Sequence, residues 1–487
     1  MRRKWTTAVL VLAGCAGTSG PDYERPDADL PATMPGAASG QAGAPRDDWW
    51  KTFQDAELDQ LVAAARAGNL DLVAMESRIR AARATARRSG AEAAPHLDAN
   101  ASYSRSRNSE NSVSGAAGRP GDVADPADVV TTSLDVSWEP DLFGRVRRGT
   151  EAAWADAAAM EEDRRAMEVA LVADVADAWF DVGAADAETA IVRETITLLE
   201  ETMKLVQARV DAGLVSELDL RRTEGDLSVA RSRIPEPERR RAVAENRLSL
   251  LMGKAPGVRA KGRMPSSYAA TFARGGADIP VGVPAQLLER RPDLRAAERR
   301  LVAANARVGQ AVADFYPRVR ILGRVGFSAV EGDDIAKWGS RIWSIAPSVS
   351  LPILDGGERE YRALETEAQR DAATADWMGA ILRALNEVGD AMVSLDAATR
   401  TRDAVRGTIT AETRSVELAN VRYREGITNY LEVLDAQRAL AQSKLTLLAA
   451  ERAVLANVVR LHRALGGGWT GSATAADDPP SDPHPGR

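Results

Sequence analysis

R-V-D-A-G-L-V-S-E-L-D-L, beginning at Arg209, returns 213 residues later as R-Y-R-E-G-I-T-N-Y-L-E-V, beginning at Arg422. Gly213 pairs with Gly426, Leu218 with Leu431 and Leu227 with Leu440. A second gap-free register, at an offset of 222, aligns 71–97 with 293–319. It pairs Asp71 with Asp293, Glu76 with Glu298, Arg78 with Arg300, Ala84 with Ala306 and Pro95 with Pro317. Two registers in the same order make the chain a duplication, and a repeat of this kind constrains every later assignment.

Each tip glycine closes a long run. Between Pro140 and Gly213, and again between Pro352 and Gly426, about 70 residues pass without a proline. At 1.5 Å per residue such a run makes a helix on the order of 100 Å long, which no globular core requires. Val172, Val175, Trp179 and Val182 recur at helical spacing and supply a packing stripe. The run E-A-A-W-A-D-A-A-A from Glu151 lets neighbouring helices approach closely. Each copy therefore reads as a helix of about 35 residues, a two-stranded hairpin, a very long helix, a Gly break and a returning helix.

The hairpins are expected at about 97–139 and 318–351. In the first, Leu97, Ala99, Ala101 and Tyr103 alternate with Asp98, Asn100, Ser102 and Ser104, and Leu134, Val136 and Trp138 with Asp135, Ser137 and Glu139. In the second, Val319, Ile321, Val325 and Phe327 oppose Arg318, Arg320, Arg324 and Ser328, and Trp343, Ile345, Val349 and Leu351 oppose serines 344, 348 and 350. Alternation over this length, with Tyr and Trp near the ends, is the pattern of membrane-crossing β-strands. A half-buried strand of a soluble sheet gives the same alternation. In lipid four strands cannot stand alone, because an open edge leaves backbone groups unpaired at several kcal/mol each. The strands must then be completed by other copies.

The first residues address the chain. Arg2, Arg3 and Lys4 precede a short apolar stretch ending in L-A-G-C, a charged leader followed by a small-residue processing site. Cys15 is the only cysteine, so it makes no internal disulfide. L-A-G-C resembles the bacterial lipobox, in which the cysteine becomes the lipidated first residue. The expected organisation is a signal peptide over 1–14, a lipidated tether over 15–47, and a first repeat over 48–253. A linker over 254–283, a second repeat over 284–466 and a disordered tail over 467–487 follow.

I-P-V-G-V-P-A-Q-L-L-E-R-R-P-D-L-R-A-A-E, residues 279–298, resembles the hallmark joining the two halves of TolC-like outer-membrane factors. The likeness is to the lipoprotein branch typified by OprM and NodT. G-P-D-Y-E-R-P from Gly20, D-W-W at Asp48 and R-Y-R-E-G-I-T-N-Y-L-E-V-L-D-A-Q-R from Arg422 share it. It runs from Cys15 to about Gly466. The resemblance implies a mixed fold, a membrane β-barrel joined to an α-helical barrel. Four strands per protomer would complete a trimeric 12-stranded barrel, and a 12-helix tube would extend into the periplasm. It also implies an outer-membrane duct of a Gram-negative bacterium, anchored by lipid on Cys15. The homotrimer would dock a periplasmic adaptor and an inner-membrane pump of the resistance–nodulation–division class, and export drugs or other small toxic molecules.

The same resemblance places a periplasmic gate at the helix tips. Leu431, Asp435 and Arg438 share one helix face at i, i+4 and i+7, and Glu432 flanks them. Under three-fold symmetry the carboxylates would ring a narrow bore and attract cations, while Leu431 would form a hydrophobic constriction. By spacing alone, Asp435 and Arg438 also read as a solvated i, i+3 ion pair. Arg422 and Tyr423 lie where they could link neighbouring helix pairs, and Gly213, Leu214, Gly426 and Ile427 form the turns that would meet the adaptor. Copy one has Val210 where copy two has Tyr423, and Gly225 where it has Arg438, so the two tips are not equivalent.

Other functions find little support. The net charge of −7 offers no basic footprint for nucleic acid. His96, His462 and His484 lie far apart, with no metal-ligand spacing, and no nucleophile elbow or P-loop appears. The expectation is no enzyme and no cofactor beyond the lipid. A type I protein-secretion duct and a structural periplasmic coiled-coil lipoprotein are the competing readings.

Overall fold

The computed structural model describes residues 18–31, 47–107, 127–260, 284–330 and 332–469. The leader and Cys15, most of the linker and nearly all of the tail lie outside them. The elements are α1 (Ala56–Gly68), α2 (Leu70–Ala91), β1 (His96–Ser106), β2 (Ala127–Trp138), α3 (Arg145–Asp211), α4 (Glu217–Ser232) and α5 (Pro235–Leu251). After the linker come α6 (Pro284–Arg290), α7 (Pro292–Ala313), β3 (Arg318–Ala329), β4 (Arg341–Ser350), α8 (Glu358–Arg424) and α9 (Tyr430–Ala464). The two long helices each have 67 residues, about 100 Å of rise. Among the described residues no helix is long and apolar enough to cross a membrane.

Three expected helices are broken, each for a local reason. The opening helix of copy one stops at Asn69, whose extended backbone ends α1 and whose side-chain oxygen caps α2 at Asp71 and Leu72. Its carboxamide donates to the Leu251 carbonyl at 3.0 Å, which fixes the bend. In copy two the break falls at Arg291, before Pro292 begins α7. Buried Arg291 reaches Asp293, Glu387 and the Ala464 carbonyl at the joint. Copy one's returning helix is divided at Pro235, which cannot donate to the preceding turn. Copy two has no proline there, and α9 runs unbroken for 35 residues.

The packing units are not the two repeats. Among the described residues, one comprises those within Met1–Asp27, Arg78–Met160 and Ala297–Trp377, the other those within Ala28–Ser77, Glu161–Ala296 and Met378–Arg487. Each long helix contributes to both, so each unit draws on both copies.

The first unit holds an antiparallel sheet in the order β1-β2-β3-β4. Its register aligns Leu97, Val136, Gly323 and Ile345 on one face and Asp98, Asp135, Arg324 and Ser344 on the other. The polar face is cross-linked: Asn100 donates to Asp135 at 2.7 Å, Arg324 to Asp135 at 2.5 Å, and Arg320 to Glu139 at 3.0 Å. The apolar face is bare, with Trp343, Ile345 and Val349 74%, 72% and 70% exposed. The helices of this unit bury many alanines, including Ala152, Ala155, Ala303, Ala306 and Ala311.

The N-terminal segment 18–27 lies along this unit. Buried Arg148 donates to the Ser19 carbonyl at 3.1 Å and to Asp22 at 2.7 Å, and Asn305 donates to the Pro21 carbonyl at 3.0 Å. Arg25 grips Glu298 through two bonds of 2.7 Å. Gly20 passes so close to Gly309 that a side chain on Gly20 would begin 2.4 Å from the Gly309 Cα.

In the second unit the D-W-W motif is a core element. Trp49 stacks on buried His462 at 5.0 Å, Phe53 meets Phe180 edge-on, and Arg66 lies over Trp50.

Candidate functional site

The two tip turns are built alike. Gly213 and Gly426 take φ values of +68° and +74°, a conformation glycine adopts without steric cost. Each helix ends in a Schellman pair. Gly213 donates to Val210 at 2.8 Å and Leu214 to Arg209 at 2.8 Å. Gly426 donates to Tyr423 at 3.1 Å and Ile427 to Arg422 at 2.9 Å. Three residues past each glycine, Ser216 or Asn429 caps the returning helix, accepting from Leu218 or Glu432. Leu214 and Ile427, which commonly fold back in this motif, instead stand 70% and 67% exposed.

Behind the turns lies an apolar cluster of Leu199, Val206, Leu220, Leu227, Tyr423, Tyr430, Val433 and Leu434. It joins α3, α4, α8 and α9, so the two hairpins of one chain pack as a four-helix end. Tyr423 is buried, with Tyr430 at 6.0 Å and the Arg209 guanidinium over its ring at 4.5 Å. Arg209 also donates to the Tyr423 carbonyl at 3.3 Å. Burial pushes the Tyr430 phenol above its ordinary pKa.

Duplicated positions thus take different work. Arg209 reaches across to the other hairpin, whereas its counterpart Arg422 pairs with Glu432 inside its own, at 3.1 Å. Glu432 also accepts from Thr428. Leu431 is half-exposed and Asp435 is exposed.

Arg438 is turned away from the partner its spacing suggests. Its distance to Asp435 is 4.0 Å, while it forms a close ion pair with Asp226 of α4. The Asp226 side chain is only 16% exposed, so this contact is less screened than the Arg422–Glu432 pair, whose side chains are 52% and 44% exposed. Beside the tip turns, Asp226 and Arg209 each link the two hairpins, and the sequence motifs single out neither of them as a site residue. The signal for Asp226 was its place beside Gly225, the residue that departs from Arg438. Among the described residues no cluster of His, Cys, Asp or Glu is arranged to hold a metal.

The comparisons with known proteins agree with this architecture. Residues 61–254 and 283–467 match the family described as "Outer membrane efflux protein", one match in each repeat. The outer membrane protein OprJ of Pseudomonas aeruginosa is 36% identical over 462 residues, covering 94% of each chain. The solvent efflux pump outer membrane protein SrpC of Pseudomonas putida is 33% identical over 476 residues, 95% of this chain and 97% of its own. The solved outer-membrane channel OprN superposes with a TM-score of 0.81 at 32% identity, over 93% of this chain and all of that one.

Proposed function

Because the chain belongs to the outer membrane efflux protein family and is an outer-membrane export channel, we propose that three copies close a 12-stranded barrel and a 12-helix periplasmic tube. One observation carries this reading. The sheet has four strands, an exposed apolar face and polar groups bridged on the other face, with β1 and β4 each paired on one side only among the described residues. In lipid such edges must be paired, and three sheets joined edge to edge pair them all.

The duct serves an inner-membrane pump of the resistance–nodulation–division class through a periplasmic adaptor, and passes drugs or other small toxic molecules. Relatives named as outer-membrane proteins of solvent and toluene efflux pumps support that assignment. Leu214 and Ile427, exposed beyond the tip glycines, offer the adaptor an apolar surface. A lipid on Cys15 tethers each copy to the outer membrane. Segment 18–27, which follows Cys15 in the sequence, is held against the first unit.

The gate is the tip itself. Leu431 supplies the constriction, Glu432 and Asp435 supply acidic rings, and Arg438 and Arg422 hold the helices through Asp226 and Glu432. Replacing both Glu432 and Asp435 by alanine raises single-channel conductance in planar bilayers and weakens block by divalent cations. Unchanged conductance would remove these residues from the gate.

A further inference from the structure

The four strands meet α2, α3, α7 and α8 at one end of the sheet, so the hairpin connections lie at the other. That is the outer end when the helices extend into the periplasm. On the apolar face β3 presents Val319, Ile321, Val325 and Phe327, and β4 presents Trp343, Ile345 and Val349. The register gives this face a single charge in these two strands, Arg341, which pairs with Phe327 where β4 begins. Leu351, just past β4, ends the apolar series. At a rise of about 3.3 Å and a tilt of about 40°, the stretch from Arg341 to Leu351 covers about 25 Å, the height of a barrel's apolar band. Arg341 therefore stands at headgroup level on the outer edge of that band.

Its surroundings hold the cation without neutralising it. The Arg341 guanidinium lies over the Trp338 ring at 4.3 Å, and Trp338 is 75% exposed. Arg341 has no carboxylate partner among the described residues, and Asp334 of the same connection is held by Lys337. A guanidinium backed by an indole keeps its planar donor edge for a bidentate acceptor, which phosphate oxygens match. The indoles of Trp338 and Trp343 suit the boundary between acyl chains and headgroups. A second cation lies on the opposite edge strand. Arg105, with its side chain 64% exposed, shares the apolar face with Leu97 and Tyr103 near the outer end of β1. Pairing of β4 with β1 of the next copy, as proposed above, sets both arginines at the outer end of one seam.

We propose that this rim binds the phosphate of an outer-leaflet lipid headgroup, with Arg341 gripping the phosphate and Trp338 and Trp343 flanking the start of the acyl chains. The apolar face directly below the cation fits a lipid and gives free phosphate nothing to cover. A zwitterionic headgroup is a poorer match, because its own ammonium answers its phosphate. The site rests on the apolar face meeting lipid, and not on the gate.

The test titrates bisphosphorylated hexa-acyl lipid A into the detergent-solubilised full-length protein and counts chains and lipids per particle by native mass spectrometry. Saturable binding is expected in the natural protein, and Arg341→Gln binds about fivefold more weakly. Phosphatidylethanolamine does not distinguish the two proteins. Arg400→Gln, which removes an exposed arginine of α8 outside the sheet's unit, binds lipid A like the natural protein. Trp338→Leu keeps the charge, removes the ring and weakens binding about twofold; it keeps the test decisive if Arg341→Gln fails to assemble. Equal binding in the natural and Arg341→Gln proteins, an equal loss in Arg400→Gln, or displacement of the lipid by millimolar inorganic phosphate would overturn the proposal. So would no bound lipid on the natural protein, or, with Arg341→Gln unassembled, unchanged binding in Trp338→Leu. Particles that need detergent yet carry lipid A equally in both proteins strike this site alone and leave the membrane reading standing.

Discussion

Replacing Arg438 by alanine strikes the ion pair that ties α9 to α4. Asp226 already has one buried oxygen without a partner, and its side chain is 16% exposed. Losing Arg438 leaves the other oxygen unpaired as well, and stranding a part-buried charged acceptor costs about 1.5 kcal/mol. The cost falls on the packed tip and not on a splayed one, where water solvates the carboxylate. If three copies open together, about 4.5 kcal/mol is withdrawn from the closed state, roughly a thousandfold in the closed-to-open ratio. Arg422→Ala is the control. Its pair with Glu432 is half-exposed on both sides and stays within one hairpin, so it is worth about 0.5 kcal/mol per copy at most. Open probability in planar bilayers reads the difference: Arg438→Ala channels are mostly open, and Arg422→Ala channels stay close to the natural protein. Equal effects, or a larger effect at Arg422, would refute the assignment of Asp226 as the anchoring partner.

Two further outcomes follow from other parts of the chain. His462 is buried against Trp49, and burial draws its pKa down to about 3 from an ordinary 6.5. Between those values the unfolded chain takes up a proton that the folded chain refuses, so stability falls as pH drops below 6.5. The loss is about 2 kcal/mol from pH 7 to pH 5. His462→Phe keeps the ring on Trp49 and flattens that part of the dependence; a thermal midpoint with the same pH slope in both proteins would contradict it. Cys15→Ser abolishes labelling by radioactive fatty acid in cells, and persistent labelling would refute the lipid anchor.

What the sequence discloses follows the range of the forces involved. The tip glycines were readable because a Schellman turn depends on residues within one turn of helix, and the strands because alternation is local. The Asn69 break was not, because an asparagine inside an apolar-periodic run shows its capping role only once the Leu251 carbonyl is beside it. Pro235 is legible as a break, since a proline inside a helical run interrupts it, although the matching part of copy two is one continuous helix. Arg438 shows the deeper limit. Asp435 at i, i+3 is always near, but Asp226, 212 residues away, is better shielded and takes the contact. Spacing cannot weigh a partner that only tertiary packing supplies. Tyr423 precedes Gly426 by three residues, but its burial under Arg209 depends on the other repeat's hairpin.

Native mass spectrometry of the detergent-extracted protein, followed by removal of the detergent, tests the central claim most directly. A sheet of four strands with a bare apolar face predicts particles of three chains that precipitate when the detergent is withdrawn. A single chain that stays dissolved without detergent would contradict the account.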